Sequence, residues 1–337
     1  MSKYLPLICG IAGTQLSNEE VCFIKDFAPW GIILFERNCK NKEQIKKLTN
    51  DLRDISHDHL PILIDQEGGR VSRLNYPGSI RFESARKFGE ILDKDIKLGL
   101  NLLSLNATLL AITLKDLGIN INTIPVLDVL SIGGHEIIGD RAYSDKKEVV
   151  SEAGRIVIES LSNNGVAPVM KHIPGHGRAA VDSHLDLPLV ESKSDELENN
   201  DLYPFLKNKN IDLAMTAHII YKAYDPEQPA TLSKKVISNV IRNNIGFKGL
   251  LITDDISMKA IKIPLEDAAV RALECGCNLV LHCNGNMNEL KSIARNIKEK
   301  FELIQIPTRL IDIFDIKTDI QTDELKRKLK KAMEVLE

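Results

Sequence analysis

Residues 166–184 read VAPVMKHIPGHGRAAVDSH. The first five are apolar and of a length that suits a buried strand, whereas Pro174, Gly175 and Gly177 break any continuing register. Lys171, His172, His176, Asp182 and His184 are therefore expected at a strand's carboxyl end, where barrel and open α/β enzymes carry their chemistry. Core packing would not choose a lysine, three histidines and an aspartate around glycines. The segment reads as a catalytic loop.

Working outward, seven further short apolar runs alternate with longer amphipathic stretches: residues 5–11, 31–35, 61–64, 119–127, 212–216, 249–253 and 278–281. Near-continuous apolar runs separated by helical sequence indicate a parallel sheet covered on both faces. Eight such units predict a single-domain α/β fold, a closed (β/α)8 TIM-type barrel, with a doubly wound sheet as the other arrangement of the same units. The barrel is expected over residues 1–300, and 301–337 as a helical extension on or beside it. Ser17 to Glu20 has capping-box spacing, and Pro264 and Gly276 frame the helix before the eighth run. The last helix, from Thr322, places Leu325, Leu329, Ala332 and Leu336 on one face and lysines on the others.

Composition narrows the function. The 337 residues are 43% hydrophobic and 27% charged, enough for a large core. A net charge of −3 with 5% aromatics offers neither a basic surface nor stacking platforms, so no nucleic-acid partner is expected. No segment reads as a membrane span, and the apolar start is read as a first buried strand in place of a leader. The six cysteines lack metal-knuckle spacing and read as structural thiols of a reducing compartment.

The carboxyl ends of the runs are polar. They carry Asp65 with Glu67, Arg70 and Arg73; Asp128 with Arg141 further on; Lys171 and His172; His218; Asp254 and Asp255; and His282 and Asn284. A barrel gathers these at one mouth. Asp65 and Asp128 also suit backbone satisfaction at a rim, Lys171 and His172 a buried ion pair, and His218 and His282 structural hydrogen bonds. Adjacent carboxylates repel, so at least one of Asp254 and Asp255 needs a positive partner or a task. Neighbouring strand residues face opposite sides, and only one of the pair can be a nucleophile. Asp182, two residues from His184, can hold the imidazole's tautomer and raise its basicity. A turn, or a metal site built from His172, His176, Asp182 and His184, is the rival reading.

DQEGGRVSRL at Asp65 to Leu74, IPVLDV at Ile124 to Val129, GDRAY at Gly139 to Tyr143, KHIPGHG at Lys171 to Gly177, DSH at Asp182 to His184 and ITDDISM at Ile252 to Met258 stand in that order. Together they closely resemble the single-domain bacterial β-N-acetylglucosaminidases of glycoside hydrolase family 3, over about Leu5 to Asn284. The resemblance implies a cytoplasmic, exo-acting, retaining hydrolase of terminal β-linked N-acetylglucosamine, with muropeptides as substrates. It implies no cofactor and no metal, and a monomer is expected. Asp254 matches the nucleophile, His184 the general acid and base, and Asp182 its orienting partner. Asp65, Arg73, Arg141, Lys171 and His172 match the groups that hold sugar hydroxyls. Ile173 and Thr253 stand where the family often has phenylalanine and serine. A phosphorylase or transglycosidase on the same scaffold, a Schiff-base lyase using Lys171, a metallohydrolase and a non-catalytic sugar-binding barrel are the alternatives.

Overall fold

The computed structural model describes residues 2–131, 138–179, 187–318 and 322–334, the side chains of 330 and 332–334 excepted. Eight parallel strands close into a barrel: β1 (Leu5–Gly10), β2 (Pro29–Leu34), β3 (Ile62–Ile64), β4 (Ile121–Asn122), β5 (Ala167–Ile173), β6 (Leu213–Thr216), β7 (Leu250–Asp255) and β8 (Leu279–His282). Each pairs with the next in sequence, and β8 returns to β1 through Leu7 opposite Val280. The doubly wound alternative is thereby excluded.

Strand periodicity explains why most of the runs are apolar on both faces. Ile8, Ile33, Leu63, Ile121, Val169, Met215, Ile252 and Leu281 fill the barrel interior. Their neighbours Leu7, Ile32, Ile62, Met170, Ala214, Leu251 and Val280 pack against the surrounding helices. Ile306, Leu310 and Ile313, the last two on the helix Thr308–Phe314, join the inner cluster beside Trp30. Tyr4 bridges to Ile304 there, so this segment closes the barrel at its amino-terminal end.

Two strand ends differ from the sequence reading by more than two residues. The fourth run shrinks to a two-residue strand, with Pro125 lacking an N–H to donate, although bonding to β5 continues where the Ile124 and Pro125 carbonyls accept the Val169 and Lys171 N–H groups at 3.0 Å and Leu127 donates to the Lys171 carbonyl at 2.7 Å. The fifth strand runs on to Ile173, so Lys171 and His172 lie within it.

The helix ends follow their signals. Ser17 and Glu20 form the reciprocal capping box, and Gly276 ends the helix Leu265–Cys275 in the left-handed region at φ +113°. The expectation that no segment has the length and apolarity of a membrane span is corrected by Ile96–Asp116, a 21-residue helix that has both. Half of its most apolar window is buried, with Leu102, Leu103, Ala107 and Leu110 in the core. The terminal helix Thr322–Glu334 packs along it through Leu325 and Leu329 while Lys326, Arg327, Lys328 and Lys331 stay exposed. All six cysteines are free thiols, and burial pushes Cys9 and Cys39 up to about 12.

Candidate active site

The period of two that fills the barrel also builds the site. Beyond Ile33, Leu63, Val169, Ile252 and Leu281, the next inward positions are Phe35, Asp65, Lys171, Asp254 and Cys283. All five line one cavity of about 520 Å³ at the carboxyl ends of the strands. Asp255, one residue out of phase, is spent on structure. Its Oδ1 accepts the Ser257 and Cys283 N–H groups at 3.0 and 3.2 Å, and its Oδ2 the Ser257 hydroxyl at 2.7 Å. Both aspartates border the cavity, so the opposite-face division expected of the pair is not met; what separates them is that Asp255 is taken up by neighbouring donors and anchors the turn. Asp254 Oδ1 accepts the Asp255 N–H at 2.8 Å. Burial opposes its charge, yet the fields of His218, His172 and Lys171 hold its carboxyl below the usual range.

The sugar-binding candidates converge on a residue that the sequence reading did not single out. Glu67 receives Arg141 through two bonds of 2.8 Å and Lys171 at 2.6 Å. Lys171 spends its remaining donors on Thr123 Oγ1 at 2.9 Å and toward Asp65 at 3.5 Å. A Schiff-base role finds no support in an ammonium so engaged. Asp65 also accepts the Thr123 hydroxyl and faces Arg73 at 3.3 Å. Burial works against charge on Glu67, but Arg141 and Lys171 keep it ionised far below the ordinary carboxylate range. Parity was the available signal, since Glu67 continues the inward series of Leu63 and Asp65.

His172 is oriented from behind. Asp128, fully buried, accepts its Nδ1–H at 2.7 Å and its backbone N–H at 3.2 Å, leaving Nε2 on the side of Arg141, 3.5 Å away. The same carboxylate takes the His176 N–H at 2.7 Å. Asp128 is thus a ring-orienting residue, which the rim reading had not resolved. His218 and His282 are structural, as expected. The first bridges Thr231 Oγ1 and the Asp255 carbonyl, and the second meets Glu289 at 2.8 Å.

Burial, followed by the His172 field, pushes His176 down to about 4. A histidine lowered on folding binds its proton more readily when unfolded, so stability falls as pH drops from about 6.5 to 4. This residue's share is about 3 kcal/mol. His176→Gln should flatten that part of a pH–melting profile, and a profile of unchanged slope would rule the assignment out.

Gly177 is required by close approach, and Gly175 by a backbone φ of +135°. A Cβ on Gly177 would sit 1.8 Å from the Val129 carbonyl oxygen. The Tyr221 hydroxyl donates to the Gly175 carbonyl at 2.6 Å. Asp182 and His184 lie outside the described residues, as does half of the rival metal set. Among the described residues no group of three or more histidine, cysteine or acidic side chains is arranged to hold a metal.

The model of the glycosyl hydrolase family 3 N-terminal domain matches residues 8–313. The chain belongs to glycoside hydrolase family 3. A β-hexosaminidase from Alkalilimnicola ehrlichii is 38% identical over 283 residues, 83% of this chain and 80% of that one. Among solved structures, native NagZ from Neisseria gonorrhoeae is similar with a TM-score of 0.84 at 30% identity, covering 98% of this chain and 96% of that chain. A family 3 β-N-acetylglucosaminidase from Paenibacillus sp. str. FPU-7 matches with a TM-score of 0.82 at 29% identity, over 96% of this chain and 61% of that longer one. The family 3 match runs past Asn284, where the motif resemblance ended, to include the segment that closes the barrel.

Proposed function

We propose that the chain removes terminal, non-reducing β-linked N-acetylglucosamine by double displacement, with muropeptides of cell-wall turnover in the cytoplasm as its substrates. It is a glycosidase of the β-N-acetylhexosaminidase type. The observation that carries the mechanism is the inward Asp254, kept ionised at the bottom of a cavity whose polar groups suit sugar hydroxyls.

In the first step an Asp254 oxygen bonds to the anomeric carbon as the glycosidic C–O bond breaks, and His184 gives its proton to the departing oxygen. In the second, water attacks the same carbon while His184 takes its proton, and the ester to Asp254 breaks. Two inversions retain the β configuration. Asp65, Arg73, Arg141, Lys171 and His172 hold the sugar, and so many charged partners favour an exo-acting site over internal cleavage. A histidine donor is neutral once it has protonated the leaving group, so it does not repel an anionic aglycone as a second carboxylate would. Arg37 and Arg70, exposed on the cavity wall, suit the same anionic aglycone.

The test is a chromogenic β-N-acetylglucosaminide hydrolysed with and without chelator, with the product followed by proton NMR. Turnover that survives chelation and releases the β-anomer first is expected. Initial α-anomer, or loss on chelation, overturns the reading. Tight binding of a thiazoline mimic without any enzyme adduct would assign the nucleophile to the substrate's acetamido group, and faster turnover with phosphate would mark a phosphorylase.

A further inference from the structure

We propose that Glu67 is a positioning residue that sets the charge of the sugar site, holding Lys171 and Arg141 while offsetting part of their opposition to the positive charge that develops at the anomeric carbon. The inference rests on the double-displacement reading above. Its basis is the geometry of one carboxylate with two cations: Glu67 Oε1 lies 2.6 Å from Lys171 Nζ and 2.8 Å from Arg141, and Oε2 lies 2.8 Å from Arg141 Nε. These side chains are 5%, 3% and 11% exposed, so bulk water screens them little.

The charge balance explains why such a residue is needed. Lys171, Arg141 and Arg73 face the cavity with Asp65 and Asp254. Arg37, Arg70 and Asp255 line the same cavity, so its wall carries five cations against three anions without Glu67 and against four with it. An oxocarbenium-like transition state is itself cationic. Uncompensated ammonium and guanidinium groups would bind the sugar's hydroxyls and raise the barrier at once. Glu67 separates these effects, leaving the donors in place and offsetting one of their two charges.

Its backbone is fixed for the task. The Glu67 N–H donates to the Val71 carbonyl at 3.0 Å, and the chain then turns through Gly68 and Gly69 at φ +96° and +55°. A Cβ on Gly68 would lie 2.2 Å from the Glu83 carbonyl oxygen, so the turn cannot relax around a larger residue. Both Glu67 oxygens are engaged by the cations, which makes its action on the substrate indirect.

The experiment compares wild type, Glu67→Gln and Glu67→Asp with two inhibitors, a cationic iminosugar mimic of N-acetylglucosamine and neutral N-acetylglucosamine. The ratio of their inhibition constants does not depend on how much of a variant is folded. In Glu67→Gln the cationic inhibitor should weaken by about ten- to hundredfold, as for one charge lost at an effective dielectric near 20. The neutral sugar should change little, kcat should fall with the cationic inhibitor and KM should hold. Glu67→Asp should restore most of the ratio. Equal weakening of both inhibitors would mean a merely structural role, and an unchanged ratio would mean no role; either overturns the inference. A fluorosugar label on wild-type Asp254 separates the two levels. Labelled Asp254 with an unchanged ratio sinks only the Glu67 proposal, whereas unlabelled Asp254 sinks the double displacement and this inference with it.

Discussion

Asp254→Ala should lose turnover by at least about four orders of magnitude, the scale seen when a covalent nucleophile is removed, while Asp255→Ala should keep most of its turnover and lose stability. The separation follows from what each carboxylate on β7 engages. Asp254 continues the inward series from Ile252 into the cavity. Asp255 accepts two N–H groups and a hydroxyl that hold the Ser257 turn and the end of β8 together. Removing that carboxylate strands partly buried donors, at about 1–3 kcal/mol each where water cannot replace it. A slow 2-deoxy-2-fluoro or 5-fluoro glycosyl donor should label the peptide containing Asp254. Melting temperatures taken beside kcat on the same preparations decide the matter. If Asp255→Ala were as inactive as Asp254→Ala at unchanged stability, the nucleophile assignment would be wrong.

The barrel was legible because burial on both faces writes itself into composition. Except for the fourth run, which carries Asn120 and Asn122, the runs are apolar at inward and outward positions alike, as Leu7 and Ile8 or Leu63 and Ile64 illustrate. The strand ends were less so. Ile119 to Leu127 is apolar enough for a long strand, but a proline's missing donor is a local fact that hydrophobicity does not carry. Polar types marked the mouth of the barrel without marking partners. A buried ion pair was one reading of Lys171 and His172, but not its partners: Lys171 and Arg141 are both bound to Glu67, and the carboxylate behind His172 comes from Asp128, 44 positions earlier. Such pairings depend on which strands adjoin, β3 with β4 and β4 with β5, and on registers fixed only when the barrel closes. The long helix Ile96–Asp116 shows the converse: its apolarity belongs to the barrel's outer layer and to the terminal helix that covers it.

His184→Ala should lose about 10²- to 10⁴-fold on substrates with poor leaving groups, the usual worth of general acid–base help, and much less on nitrophenyl glycosides, whose departure needs no proton. The assignment comes from the DSH motif and its spacing, since both members lie outside the described residues. What the structure adds is the setting. Among the imidazoles described at the strands' carboxyl ends, His218 is taken up by Thr231 and the Asp255 carbonyl and His282 by Glu289, while His172 is held through Nδ1 by Asp128 with its Nε2 beside Arg141. His176, pushed down to about 4, is neutral at ordinary pH and poorly placed to donate a proton. Asp182→Asn should move activity in the same direction as His184→Ala, because removing the charge that stabilises the imidazolium lowers the histidine's pKa. If the basic limb of the kcat/KM profile reports the acid form, that limb shifts to lower pH in Asp182→Asn. Profiles of wild type and both variants on one poor-leaving-group substrate measure the shift, and a nitrophenyl substrate supplies the contrast. A stationary basic limb in Asp182→Asn, together with equal losses on good and poor leaving groups in His184→Ala, would return the search for the acid to the strand-end carboxylates.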